Sequence, residues 1–232
     1  LTPSSSTLQN ISFHLPAGQV LGLLGRTGSG KSTIARLLLR LYDLQSGEIR
    51  LDDVAIQRIP LAELRQRVGL VTQDVQLFQA SIRDNLTFFD PRIRDSTILE
   101  TVEKLGLSQW LKLLPEGLDT QLGADSSGLS AGQAQLLALV RVFLKNPGLV
   151  ILDEASSRLD LQTEALLDNA ISQLLQNRTG IIIAHRLQTI QHADQILIVE
   201  QGKIVEYGDR QILVTQPDSR FAQMLPIEQK SD

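Results

Sequence analysis

Cysteine is absent from the 232 residues. That excludes disulfides, thiolate metal sites and cysteine nucleophiles. No apolar run reaches about 18 residues, so no segment reads as a membrane-spanning helix. Dense Lys/Arg runs are missing and the formal net charge is −4, which leaves no basic stripe for nucleic acid; no nucleic-acid partner is expected. The opening LTPSSSTLQN lacks the basic start and apolar run of a signal peptide. It also lacks an initiator Met and begins in mid-pattern, as a piece of a longer polypeptide would. No internal repeat is found, and no low-complexity segment beyond Ser4-Ser5-Ser6. What is present is 42% hydrophobic and 21% charged, ordinary for a globular core. The length suits one large domain, or a core with an inserted subdomain.

Val20–Leu24 is a short apolar run that ends at glycine, and it reads as a buried strand. The good helix formers of Lys31–Leu41 follow it. Gly47–Leu51 and Val68–Thr72 read as further strands. From about Gln73 to Leu144 the pattern is mostly helical, with helices expected over Asp95–Leu105, Ser108–Leu113 and Ala131–Leu144. Leu149–Leu152 is continuously apolar, as in a parallel strand buried on both faces. Leu161–Leu175 reads as a helix and Gly180–Ala184 as a buried strand. Gln195–Val199 and Lys203–Tyr207 flank Gln201-Gly202, a hairpin signal, and short helices and a polar tail follow Gly208. Strands alternating with helices imply an α/β class with a mostly parallel sheet. The expected division is a core of about 1–72 and 145–232, with a helical subdomain of about 73–144 inserted.

Gly25-Arg26-Thr27-Gly28-Ser29-Gly30-Lys31-Ser32-Thr33 fits G-x-x-x-x-G-K-[ST] between an expected strand and helix, the context this phosphate loop requires. Glycines let successive N–H groups turn inward around anionic oxygens, and the following helix offers its positive end. Lys31 brings a full charge to the β/γ-phosphates, and the Ser32 hydroxyl can ligate Mg²⁺. Downstream, the apolar strand ends in Asp153-Glu154. A strand leaving the core delivers Asp153 to the carboxyl edge of the sheet, where ligands bind in open α/β folds. There it can hold Mg²⁺ through its water shell. Glu154 points the other way and is free to orient or deprotonate an attacking water.

With these residues in hand, the sequence resembles the ATP-binding domains of the ABC superfamily. Leu129-Ser130-Ala131-Gly132-Gln133 is similar to the family signature L-S-x-G-Q, although Ser130-x-x-Gln133 is also a plain capping box at a helix start. Gln73 resembles the Q-loop glutamine and His185 the switch histidine. Ser156-Ser157-Arg158-Leu159-Asp160 resembles the D-loop. His14 and His192 match no motif and read as surface or packing residues. The resemblance implies an ABC ATPase core with an N-terminal antiparallel β part and the helical insertion. ATP would be bound with Mg²⁺ on Ser32, Gln73 and Asp153, and hydrolysed with Glu154, His185 and Gln73. A second ATP-binding domain, identical or related, would lend Ser130–Gln133 to the same nucleotide, and Asp160 is also expected among the nucleotide-binding residues.

Leu77–Leu86 and Leu118–Gly123 resemble exporter stretches that couple such a domain to a membrane partner. The implied setting is the cytoplasmic face of a plasma or inner membrane, with a transmembrane domain fused upstream. The alternatives are a soluble ABC ATPase of the DNA-repair or translation type, and a degenerate partner that binds nucleotide without hydrolysing it. Three departures stand out. Residues 1–12 hold no aromatic to stack on adenine, Arg158 occupies a usually small D-loop position, and Ala134-Gln135-Leu136 replaces frequent basic residues. The apolar run Leu136–Val140 should bury that helix more deeply.

Overall fold

The computed structural model describes residues 7–123, 128–153, 160–184 and 187–225. Strand β1 (Val20–Leu24) is buried at all five positions. Its register places it between β6 (Thr179–Ile183) and β7 (Gln195–Glu200), parallel to both. β4 (Val68–Val71) and β5 (Leu149–Asp153) extend the parallel array on one side. β8 (Lys203–Asp209) closes the other side antiparallel to β7, giving the order β4-β5-β6-β1-β7-β8. The antiparallel pairing nearest the N-terminus is a two-residue ladder between β2 (Arg50–Leu51) and β3 (Val54–Ala55). The strand expected over Gly47–Leu51 keeps only its last two residues, since Gly47 itself has a positive φ of 87°, and Asp52 and Asp53 then turn the chain into β3 through positive φ.

Alternation along the strands splits the interior in two. In β5, Leu149 and Ile151 face a core that holds Leu21, Leu23, Ile34, Leu64, Ile181 and Leu197. Val150 and Leu152 face the other core, with Leu24, Ile182 and Ile198 and the helices that follow β4. The first core is covered by α1 (Lys31–Leu38) and α2 (Leu61–Arg67). α1 stops three residues short of the expected end. Arg40 takes a left-handed conformation there, and its guanidinium reaches the carbonyls of Ile56 and Ile59 at 3.1 and 2.8 Å. α2 had no periodic signal, since Leu64 is its one buried residue.

Between β4 and β5 every named element is helical: α3 (Ile82–Thr87), α4 (Asp95–Lys104), α5 (Ser108–Lys112), a 3₁₀ turn at Gly117–Asp119 and α6 (Ala131–Lys145). α6 buries Leu136, Leu137, Ala138, Leu139 and Val140 as its apolar run requires, about 1.5–3 kcal/mol for each large side chain. α7 (Leu161–Leu175) packs on α6, and α8 (Arg210–Thr215) and α9 (Arg220–Met224) follow β8. No helix among the described residues is long and apolar enough to cross a membrane.

Candidate functional site

The phosphate loop leaves β1 and enters α1, as its spacing requires. Gly25, Gly28 and Gly30 have φ of 146°, 80° and 112°, a region that side chains resist. α1 starts from Gly30 with no side-chain cap, so the first N–H groups of the helix are left to an anion. Lys31 is only 4% exposed. Its Nζ donates to the carbonyls of Gly25 at 2.6 Å and Arg26 at 3.1 Å. Burial lowers its pKa, and the nearby Asp153 carboxylate partly restores it. The Ser29 hydroxyl is buried without a partner among the described residues. Arg26, Thr27 and Gly28 are exposed, while Ser32 and Thr33 are half-buried in the first turn of α1. A buried ammonium, an orphaned hydroxyl and uncapped N–H groups facing a strand-end carboxylate form a donor set that suits a phosphate chain carrying a divalent cation.

The sheet register brings the other candidates to the same edge. Asp153 pairs with Ile183, and Ile183 pairs with Leu23 of β1, so the ends of β5, β6 and β1 lie flush. Val71 pairs with Leu152, which puts exposed Gln73 just beyond that edge, in a turn closed by Thr72 Oγ1 donating to the Asp74 carbonyl at 2.9 Å. Glu154, His185 and Ser156–Leu159 lie outside the described residues. Asp160 caps α7. Its carboxylate accepts from Thr163 N at 2.9 Å and Thr163 Oγ1 at 2.7 Å, and these bonds hold its pKa below the usual carboxylate value.

Ser130–Gln133 form the capping box. The Ser130 hydroxyl accepts from Gln133 N at 3.2 Å, and Gln133 Oε1 accepts from Ser130 N at 2.9 Å. Ser130 and Ala131 are exposed and Gly132 is buried. The N–H groups of Ala131 and Gly132, in the first turn of α6, have no partner among the described residues. Among the described residues no hydrogen bond joins this corner to Gly25–Thr33.

The two stretches 77–86 and 118–123, distant in sequence, are neighbours. Ile82 N donates to the Thr120 carbonyl at 2.9 Å, and Leu122 N to the Ala80 carbonyl at 3.0 Å. Arg83 binds both Asp95, at 2.7 Å, and Asp119. Beside them Phe78, Phe88 and Phe89 are exposed, with Phe78 packed edge-on against both of the others. Phe88 and Phe89 hold φ of 52° and 62°, which is strained for bulky residues. Half-buried Arg141 of α6 lies 4.7 Å from the Phe88 ring centre and donates to the carbonyls of Asn85 and Gln76. Desolvation brings its pKa down to about 10. Sequence reasoning missed Phe88, Phe89 and Arg141; the Phe-Phe pair after a helix was the available signal. His192 pairs with Asp168 of α7 at 2.9 Å, a packing contact as read.

Comparison with known proteins agrees with this geometry. The family profile described as ABC transporter matches residues 8–157. The ATP-dependent lipid A-core flippase of Photobacterium profundum is 43% identical over 195 residues, 84% of this chain and 33% of its own length. ABC transporter B family member 21 of Arabidopsis thaliana is 36% identical over 227 residues, 98% of this chain and 18% of its own. A solved bacterial Atm1-family ABC exporter with ATP bound superposes with a TM-score of 0.85 at 35% identity, covering 94% of this chain and 38% of that one. The chain thus spans about a third of the length of the flippases it matches. A profile match over more than half the residues, around a phosphate loop set at the edge of this sheet, places the chain in the ABC transporter family, with that family's ATPase fold.

Proposed function

We propose that the chain binds ATP with Mg²⁺ and hydrolyses it at a site shared by two such domains, and that this work drives export through a membrane domain. The observation that carries the reading is the incomplete donor set. Among the described residues, the Gly25–Thr33 cradle holds an orphaned hydroxyl and a buried ammonium, while the second anion-binding corner, at Ser130, stands exposed and unconnected to it. A facing copy brings its Ser130 corner to the triphosphate held by the first.

In this reading Lys31, the loop N–H groups and the partner's Ser130 corner surround the charge that develops on the transferring phosphoryl group. Ser32, Asp153 and Gln73 hold the cation, which supplies charge neutralisation at the phosphate oxygens. Glu154 orients the water and His185 contacts the γ-phosphate. Phe78, Phe88 and Phe89, beside the coupled stretches 77–86 and 118–123, form the face for the membrane domain. The length of the flippase relatives beyond this chain leaves room for such a domain. Likeness to flippases and an exporter favours export over the DNA-repair or translation reading, and supports a working place on the cytoplasmic face of a membrane.

Sedimentation of Glu154→Gln protein with ATP and Mg²⁺ tests the shared site. A nucleotide-dependent dimer with turnover lost is the expected result. A wild-type chain that stays monomeric under these conditions, yet hydrolyses ATP at a rate per subunit unaffected by dilution, overturns the reading.

A further inference from the structure

The turn between β7 and β8 does more than reverse the chain. Gln201 and Gly202 have φ of 47° and 77°, the two-residue hairpin geometry. Such a turn leaves the second residue's peptide groups free of the ladder, and here both are used. Gly202 N donates to the Ser29 carbonyl at 3.0 Å, inside the phosphate loop. The Gly202 carbonyl accepts from Gln9 N at 2.7 Å. Contact is close on every side: a Cβ on Gly202 would stand 2.2 Å from the Thr7 carbonyl oxygen, and one on Gly25 2.2 Å from the Val199 carbonyl oxygen.

The consequence follows from peptide planarity. In a trans peptide the C=O and the next N–H point in opposite directions. Drawing the Ser29 carbonyl toward Gly202 therefore turns the Gly30 N–H away from the hairpin. That N–H has no partner among the described residues. Ser29 N is tied to the Arg26 carbonyl at 3.1 Å, so the residue is gripped on both sides. We infer that Gly202 is a positioning residue for the phosphate loop: its N–H sets the Ser29–Gly30 peptide so that Gly30 N–H faces the bound anion, and residues 7–9 brace the turn from behind. The inference rests on the reading of this loop as a nucleoside triphosphate site.

The test compares Gly202→Ala with Gly18→Ala in the full chain. Gly18 has a matched φ of 78°, but a Cβ there meets nothing within 4 Å, so it reports left-handed strain alone. ATP affinity with Mg²⁺ is measured by calorimetry, and the Ser29 and Gly30 amide resonances are followed without nucleotide. Gly202→Ala is expected to bind about tenfold or more weaker than Gly18→Ala and to shift both resonances before any ATP is added. Affinity and resonances equal to those of Gly18→Ala overturn the inference. Gln9→Pro removes the brace's N–H from outside the turn, and covers the case in which Gly202→Ala does not fold. It should weaken ATP in the same direction, and unchanged affinity in it also counts against the inference. Lys31→Ala separates the two levels. If it binds ATP as wild type does, the nucleotide reading fails; if it loses ATP while Gly202→Ala keeps it, the clamp alone fails.

Discussion

Lys31 concentrates the conflict in this site. Its ammonium is held away from water by the loop it serves, and burial lowers its pKa while Asp153 partly compensates. The sign of the linkage is definite. With the folded pKa below the unfolded 10.5, the unfolded chain binds more protons at alkaline pH, so this group's contribution to stability rises as pH rises through that window. Lys31→Met should flatten that slope, abolish ATP binding in calorimetry and leave the melting temperature unlowered, since an apolar replacement of a buried charge is often neutral or stabilising. A melting temperature several degrees lower would mean that the two carbonyl bonds outweigh desolvation. Motif spacing identified Lys31 but not its burial or its grip on Gly25 and Arg26. Those depend on how the loop curls against β7, which lies far away in sequence.

Individual elements serve two roles at once. The Ser130 capping box starts α6, and its exposed hydroxyl is the corner proposed to reach a facing copy's phosphate. The roles separate by magnitude. Ser130→Ala should cost about 1 kcal/mol of stability as a lost cap. If the corner touches the transition state, turnover should fall on the order of a hundredfold. Urea unfolding beside steady-state ATPase assay reads both, and a turnover loss no larger than the stability change explains would reduce Ser130 to a cap. Element existence was well legible here: β1 and α7 match their expected bounds, because a buried five-residue strand and a capped fifteen-residue helix carry strong periodic signals. α2 and the β2–β3 ladder were not legible as such, because so short an element with one or two buried residues leaves no period to read.

At the scale of the whole molecule, the helices between β4 and β5 carry both the Ser130 corner and the aromatic face. α6 links them, running from the signature to Arg141 beneath Phe88. Phe88→Asn keeps a residue that tolerates positive φ and removes the exposed ring. It should weaken co-sedimentation with vesicles carrying the cognate membrane half by about tenfold or more, as loss of an aromatic anchor does. Undiminished binding would move the docking face elsewhere.

The linear order of residues was sufficient for the phosphate loop, the strand-end carboxylate Asp153, the capping box and the α/β class, because each is a local pattern whose spacing is set by one helix turn or one strand repeat. Tertiary structure alone decided the rest. It joined residues 80–82 to 120–122, set three phenylalanines on one face, and brought Gly202 onto the phosphate loop with Gln9 behind it. These pairings are made by backbone groups and side chains that the parallel sheet brings together across long stretches of chain, and a backbone N–H leaves no mark in the residue letters that would name its distant partner.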